Sequence, residues 1–330
     1  VSYAAQNVRQ VLWPLGLVYG ALAAARNWTF ARGVRAQHRL PVTVVSIGNL
    51  TVGGTGKTPT VAWLCELARA HGRTPGVLAR GYARAPGALL NDEGAMLQAQ
   101  LPWLLQVQDP DRVAGGNRLV KLGADFIVLD DGFQHRRLQR DVDLVCLDAA
   151  RPFGNGSCLP AGDLREFCSG LQRADLVLLT RASAVSKDQL AALTARVKLI
   201  ARAPALPVFA ADHAPSFVQQ KPGGMVLPLA SLHGQRAVLL TAVAQPLSVR
   251  TTAESLGVQV VRELRYRDHH QFTHAEVDAA AAAARNDRAI VLTTAKDDAR
   301  LSAYSHERQV LHVGLRFLSA VPLTTMVGLA

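Results

Sequence analysis

The chain has 330 residues, 49% of them hydrophobic and 18% charged, a balance that supports a sizeable core and excludes disorder and fibrous repeats. Its 36 Lys and Arg against 25 Asp and Glu give a formal net charge of +11, so an anionic partner is expected: nucleic acid, a nucleotide or an acidic membrane surface. Aromatic residues are only 5% and do not interleave with basic ones, which argues against a single-strand nucleic-acid platform.

From Val11 to Ala25 there are fifteen residues without a charge, flanked by Arg9 and Arg26. A spanning helix needs about 20 apolar residues, so the run is short by a turn or more. It also lacks a persuasive small-residue cleavage site before the next strand. Two readings fit. One is a helix lying in the headgroup region of an anionic leaflet, with Trp13 and Tyr19 at the boundary and Arg at both ends; the other is a helix packed on the protein's own core. The pattern favours the first.

Pro41–Ile47 then reads as a buried parallel strand. GNLTVGGTGKTP follows, and after it an amphipathic run from Thr60 to Ala70. Apolar runs recur at Phe126–Leu129, Leu144–Leu147 and Leu176–Leu179, each followed closely by Asp, Thr or Arg. That alternation predicts an α/β fold with a doubly wound parallel sheet and ligands at the strand carboxyl ends. Gln219–Gly224 contains Pro-Gly-Gly turn chemistry inside an expected β-ribbon. Beyond it, Ala237–Thr241, Val258–Val261 and Ile290–Thr294 restart the alternation in a smaller α/β domain. The alanines of Ala279–Ala284 fall in a helix opened by a Thr273–Glu276 capping box. The expected division is 1–36 for the N-terminal helical segment, 37–218 for the core, and 219–330 for the ribbon and smaller domain. Cys65, Cys146, Cys158 and Cys168 form no CxxC pair, so neither zinc nor a disulfide scaffold is expected, and the chain reads as reduced and intracellular.

The strongest chemical signal is Thr51-Val-Gly-Gly-Thr-Gly-Lys-Thr58, between a strand and a helix. Gly53, Gly54 and Gly56 let successive backbone N–H groups, Thr55 among them, converge on phosphate oxygens. Lys57 neutralises β/γ-phosphate charge and the Thr58 hydroxyl binds Mg²⁺. The strict phosphate-loop pattern has Gly where Thr51 stands. A glycine turn that merely caps a helix would leave Gly-Lys-Thr unexplained. Asp130 and Asp131 close the neighbouring strand, where such folds hold the metal; Asp148 closes the next strand and is read as structural.

In order along the chain come GNLTVGGTGKTP (48–59), ARGY (79–82), DDGFQHRRLQRD (130–141), FGNGSCLPAGDLRE (153–166), RDHHQFT (267–273) and TTAKD (293–297). Together they resemble the lipid A 4′-kinase family, tetraacyldisaccharide 4′-kinase. The resemblance implies transfer of the ATP γ-phosphate to the 4′-hydroxyl of a tetraacylated glucosamine disaccharide 1-phosphate. It also implies a P-loop NTPase-type core joined by a β-ribbon to a smaller α/β domain, and a membrane-associated N-terminal helix at the cytoplasmic face of the bacterial inner membrane. The cofactors are ATP and Mg²⁺. The partners are the lipid substrate and the anionic membrane, with no nucleic acid, and a monomer is expected. Where the family usually has Gly-Asp-Glu-Pro, this chain has Asn91-Asp92-Glu93-Gly94; it departs also at Ala79, Asp163 and Ala295.

By composition alone, residues 91–94 are an acidic turn; with the resemblance, Asp92 becomes the base. His269 is expected to orient it from the other side of a domain cleft, with His270 as its alternative. Metal binding by the two histidines is not expected, because adjacent side chains diverge. Glu166 becomes a candidate metal or nucleotide ligand by resemblance. Arg136, Arg137, Arg140 and Arg165 fit either phosphate binding or a solvated basic face. The rival reading is a nucleotide-switch ATPase of the partitioning or metallocluster-assembly type, which commonly carries Lys where Val52 stands.

Overall fold

The computed structural model describes residues 11–82, 89–243, 246–268, 270–301, 303–319 and 327–329. Helix α1 (Trp13–Ala31) carries a proline in its first turn, where a backbone N–H has no intrahelical partner to lose. It runs past the uncharged stretch because nothing after Ala25 breaks a helix. Gly16 and Gly20 stand one turn apart on a single face. A Cβ on Gly16 would lie 2.7 Å from the Cys158 carbonyl, and one on Gly20 would lie 2.5 Å from the Phe167 ring. At these two glycines the helix backbone therefore comes into close contact with the loop from Phe153 to Phe167. Leu15, Leu17, Val18 and Leu22 are left exposed. Among the described residues, no helix is long and apolar enough to cross a membrane.

The chain packs as two units. The first comprises Val1–Tyr82, Trp103–His213 and Leu315–Ala330. Its strands are β1 (Thr43–Gly48), β2 (Pro75–Ala79), β3 (Leu105–Gln108), β4 (Phe126–Asp130), β5 (Val142–Asp148), β6 (Leu176–Thr180) and the opening of β7 (Val208–Lys221). They lie in the order β7-β6-β5-β1-β4-β2-β3, and every described pairing among them is parallel. Connecting helices include α2 (Lys57–Ala70), α4 (Arg112–Lys121) and α5 (Lys187–Ala201). One core cluster sets Val145, Leu147, Val177 and Leu179 against Leu193 and Val197 of α5. Another sets Val44, Leu78, Ile127 and Leu129 against Leu119 of α4. Alternate residues of the strands are thus covered by helices, the reason they read as unbroken apolar runs. After β4 the chain crosses to the other side of β1, and that reversal places the crevice at the carboxyl ends of β1, β4 and β5.

The second unit comprises Ala83–Pro102 and Ala214–Gly314. Its strands β9 (Arg236–Thr241), β10 (Gln259–Arg265), β11 (Ile290–Thr294) and β12 (Arg308–Phe317) follow the order β10-β9-β11-β12 and pair in parallel. The expected ribbon is the antiparallel hairpin of β7 with β8 (Val226–Leu227). Its helices are α3 (Asp92–Gln100), α6 (Pro246–Ser255), α7 (His274–Asn286) and α8 (Ala295–Asp298). The Thr273–Glu276 capping box opens α7, and Ala280, Ala283 and Ala284 pack against Val238, Leu240 and Val291.

This grouping differs from one read along the chain. The passage out of the first unit falls at His213–Ala214 rather than after residue 218, and 1–36 is not set apart, because the α1 glycines pack on the first unit. Residues 315–330 also return to the first unit, where the Phe317 ring meets Trp63 at 4.9 Å and the Leu318 N–H bonds the Ala210 carbonyl.

Candidate active site

The turn between β1 and α2 is built for anions. Gly53 (φ +107°) and Gly56 (φ +81°) adopt left-handed conformations. A Cβ on Gly53 or Gly54 would meet nothing within 4 Å, so the loop's inner surface is open. Gly56 is the N-cap of α2, and the first turn of that helix holds no acidic residue, which leaves its positive end unneutralised. The loop is braced from behind: Asn49 donates to the Thr55 hydroxyl at 2.9 Å, and the Thr180 hydroxyl donates to the Thr55 carbonyl at 2.9 Å. Asp148 is paired with Arg181 at 2.5 Å, which accords with its structural reading.

Asp130 ends β4 with its side chain buried. Asp131 follows at φ +53°, a left-handed position unusual for a residue with a Cβ. Gly132 is required next, since a Cβ there would press on Leu129 and on the Ser46 hydroxyl. Lys57 lies 3.4 Å from Asp131 Oδ1, and Arg165 donates to Oδ2 at 2.6 Å. Burial would push the Asp131 carboxyl up, but the two cations outweigh it and hold it below the usual carboxylate range. Arg165 is delivered by the loop running from Phe153 to Glu166. That loop lies along the phosphate turn through Val52 N–H to Asp163 O at 2.7 Å and Arg165 N–H to Leu50 O at 2.8 Å.

Glu166, the candidate metal or nucleotide ligand, is held by neighbouring side chains. Its carboxylate accepts from Asn27 of α1 at 2.8 Å, from Gln134 at 2.9 Å and twice from Arg173 at 2.9 Å. Three donor groups make four contacts with it, and it ties α1 to the core.

A cleft of about 550 Å³ opens beside these groups. Tyr19 and Leu22 of α1 form one side, and Arg26, Arg80, Arg112 and Arg165 bring cations to it, with Asp131 at its edge. Arg112 is buried, and its Nε has no hydrogen-bond partner. His135 lines the cleft too. Burial and the cations Arg112, Arg140, Arg26 and Arg137 press its pKa down to about 4, so it is neutral at physiological pH. Of the four arginines singled out in sequence, Arg165 reaches the cleft. Arg140 is clamped on Asp143, Arg137 pairs with Asp111, and Arg136 donates to the Asn27 carbonyl. Arg112 lies outside the quoted motifs, and Arg80 falls within ARGY (79–82) without being singled out there.

Asp92 is the first residue of α3, whose N-cap is Asn91. Its Oδ2 accepts from Arg300 Nε at 2.9 Å. The acidic turn expected at 91–94 is thus a helix start, because the Asn91 side chain accepts the Gly94 N–H and Leu97 is buried behind it. His269 lies outside the described residues. Its neighbours Asp268 and His270 belong to the same unit as Asp92, and α3 packs on α8 of that unit. His270 is committed to Glu276 at 3.0 Å and stacked on Tyr266 at 4.7 Å, which places it in the support of α7.

A family model described as tetraacyldisaccharide-1-P 4′-kinase matches residues 8–327. The tetraacyldisaccharide 4′-kinase of Anaeromyxobacter sp. is 40% identical over 319 residues, covering 91% of this chain and 85% of the relative. That of Geobacter sulfurreducens is 35% identical over 341 residues, covering 97% and 91%. Among solved structures, the "apo" form of LpxK from Aquifex aeolicus in complex with ATP is similar at a TM-score of 0.77 and 26% identity, covering 98% of each chain.

Proposed function

The chain belongs to the tetraacyldisaccharide-1-P 4′-kinase family, and from that premise we propose how its residues move the γ-phosphoryl group of ATP to the 4′-hydroxyl of an acylated disaccharide lipid. It is an ATP-dependent 4′-kinase, and the nucleotide-switch reading is set aside. The observation that carries the assignment of residues is the cleft in which apolar α1 side chains and four arginines meet Asp131 beside the phosphate turn. One wall suits acyl chains and the other suits phosphate, the two chemistries of an acylated sugar phosphate.

The turn of Gly53, Gly54, Thr55 and Gly56 offers N–H groups to the nucleotide phosphates, and Lys57 exchanges its Asp131 contact for phosphate oxygens when ATP enters. Mg²⁺ fits the donors present: Asp131 Oδ1 meets the Lys57 ammonium at 3.4 Å, the contact that Lys57 gives up for phosphate, Asp130 is the adjacent residue, and oxygen ligands suit a hard cation. Thr58, Asp130 and Asp131 would hold the ion; when bound it supplies positive charge to phosphate oxygens. Asp92 takes the proton of the 4′-hydroxyl, with His269 orienting it. Arg112 and Arg80 receive the substrate's phosphate. Glu166 acts as a brace.

The exposed apolar face of α1, with Arg32 and Arg35 just beyond its far end, supports a location on the anionic cytoplasmic face of the inner membrane. The test is to incubate the purified protein with labelled ATP, Mg²⁺ and the tetraacyl disaccharide 1-phosphate in detergent. Label in the lipid is expected; phosphate release that ignores the acceptor would overturn the reading.

A further inference from the structure

Three successive carbonyls of the phosphate turn are held from outside it. Gly54 accepts from Arg181 Nη2 at 3.1 Å, Thr55 from the Thr180 hydroxyl at 2.9 Å, and Gly56 from the Thr60 hydroxyl at 2.8 Å. In a planar trans peptide, the carbonyl of one residue and the N–H of the next point in opposite directions. The three bonds therefore turn the N–H groups of Thr55, Gly56 and Lys57 away from the groups that hold the carbonyls. Among the described residues, neither the Thr55 nor the Gly56 N–H donates to a backbone carbonyl.

The hydroxyls of Thr180 and Thr60 make their bonds in the buried interior. Arg181 is different. Its side chain is 35% exposed, and its backbone sits at φ +52°, a left-handed position unusual for a residue with a Cβ. Its Nη1 is taken by Asp148 Oδ2 at 2.5 Å, which leaves Nη2 on the Gly54 carbonyl. Asp148 is fixed in turn, since its Oδ1 accepts the Ala150 N–H at 3.0 Å. The peptide that this chain of contacts reaches is the one that most needs holding. Gly53 and Gly54 lack the side chains that would restrict their torsions, so the Gly54–Thr55 peptide can flip at little steric cost.

We infer that Arg181 is a positioning residue for ATP: aimed by Asp148, it keeps the Gly54 carbonyl on the outer side of the turn and so directs the Thr55 N–H to a nucleotide phosphate. The inference rests on the turn of Gly53–Gly56 being the phosphate site. A flipped Gly54–Thr55 peptide would present the negative end of a carbonyl to the phosphates in place of a donor. A donor aimed in advance serves bound ATP and the transition state alike, so its loss raises KM and spares kcat.

The test compares Arg181→Met, Asp148→Ala and Arg181→Met/Asp148→Ala in the full chain. The readouts are steady-state kinetics, titration with a fluorescent ATP analogue, and displacement of that analogue by inorganic tripolyphosphate. Arg181→Met is expected to raise the KM for ATP, the Kd of the analogue and the Ki of tripolyphosphate about tenfold each, with kcat and the KM for lipid within about twofold of wild type. Asp148→Ala is expected to raise the same three constants about 3- to 10-fold, and the double variant to exceed Arg181→Met by less than about twofold, because the pair acts as a unit. If Arg181→Met does not fold, Arg181→Lys, which keeps the charge without the fork, is expected to weaken ATP about threefold; wild-type affinity there would overturn the inference. Arg181→Met with a lowered melting temperature but wild-type affinity would reduce Arg181 to a structural role. Weakened ATP with unchanged tripolyphosphate would move its action to the base or sugar. Loss in Arg181→Met beside wild-type or tighter binding in Asp148→Ala would make Arg181 a direct ligand. Each of these three results overturns the inference and spares the phosphate turn. Wild-type nucleotide affinity in Gly56→Ala and Arg181→Met together would instead remove the turn as the phosphate site, and the inference with it.

Discussion

Gly56 is confined to glycine twice over. Its φ of +81° strains any L side chain, and a Cβ would stand 2.3 Å from His213 Nε2. Gly56→Ala is expected to lower stability by roughly 1–3 kcal/mol and to weaken ATP binding, read by thermal melting and by titration with a fluorescent nucleotide. Lys57→Ala should leave the circular dichroism unchanged and cut lipid phosphorylation by about 10²-fold or more, because a charge aimed at the phosphates is lost; near-normal phosphorylation would remove Lys57 from the site. His312 illustrates a different constraint. It is buried, stacked on Phe217 at 4.3 Å, and neither ring nitrogen has a hydrogen-bond partner. Burial presses its pKa from 6.5 down to about 4, with Asp298 opposing and Lys221 assisting. Because the folded pKa is the lower one, the unfolded chain takes up the proton first as pH falls. The stability owed to the neutral ring is present above pH 6.5 and is lost on the way down to about 4. His312→Phe is expected to flatten the decline of melting temperature across that window, although the similarly shifted His135 and His213 leave part of the slope.

At the scale of elements, α1 makes the clearest prediction. Replacing Leu15, Leu17 and Val18 by Ser changes exposed side chains and spares the close contacts at Gly16 and Gly20. The variant is therefore expected to fold normally yet to lose sedimentation with anionic liposomes; sedimentation like that of the wild type would refute the interfacial role. The same elements explain what could be read beforehand. The phosphate turn, β4, β5 and β6 were legible because glycine spacing and unbroken apolar runs are local signals. Helix α3 was not: Asn-Asp-Glu-Gly is turn composition, and only the Asn91 cap and the burial of Leu97 convert it to a helix. Strands β2 and β3 span five and four residues, too short for periodicity to distinguish. Arg112 lay outside the motifs, and its burial at the cleft comes from folding. Glu166 could be found but not understood, since its partners Asn27 and Arg173 are distant or unremarkable in sequence.

At the scale of the whole molecule, the net charge pointed to an anionic partner, while the division into units could not be read by cutting the chain once. Residues 83–102 and 214–314 form one unit, so a fragment of 214–314 alone lacks Asp92 and leaves Arg300 with Asp297 as its carboxylate partner. It is expected to melt lower than the same fragment mixed with a peptide of residues 83–102; equal melting would show that α3 contributes nothing to the unit's stability. The first unit is interleaved as well, and Val327 and Leu329 are both buried. The position a Gly328 Cβ would take lies 3.6 Å from Thr43 of β1. A first strand and a segment nearly three hundred residues later must find each other, a pairing of high contact order that closes slowly. During synthesis β1 emerges long before residues 327–329 do, and the packing over Thr43 waits for them. For that interval the nascent first unit keeps an unfinished apolar surface, which makes it a natural client for chaperones.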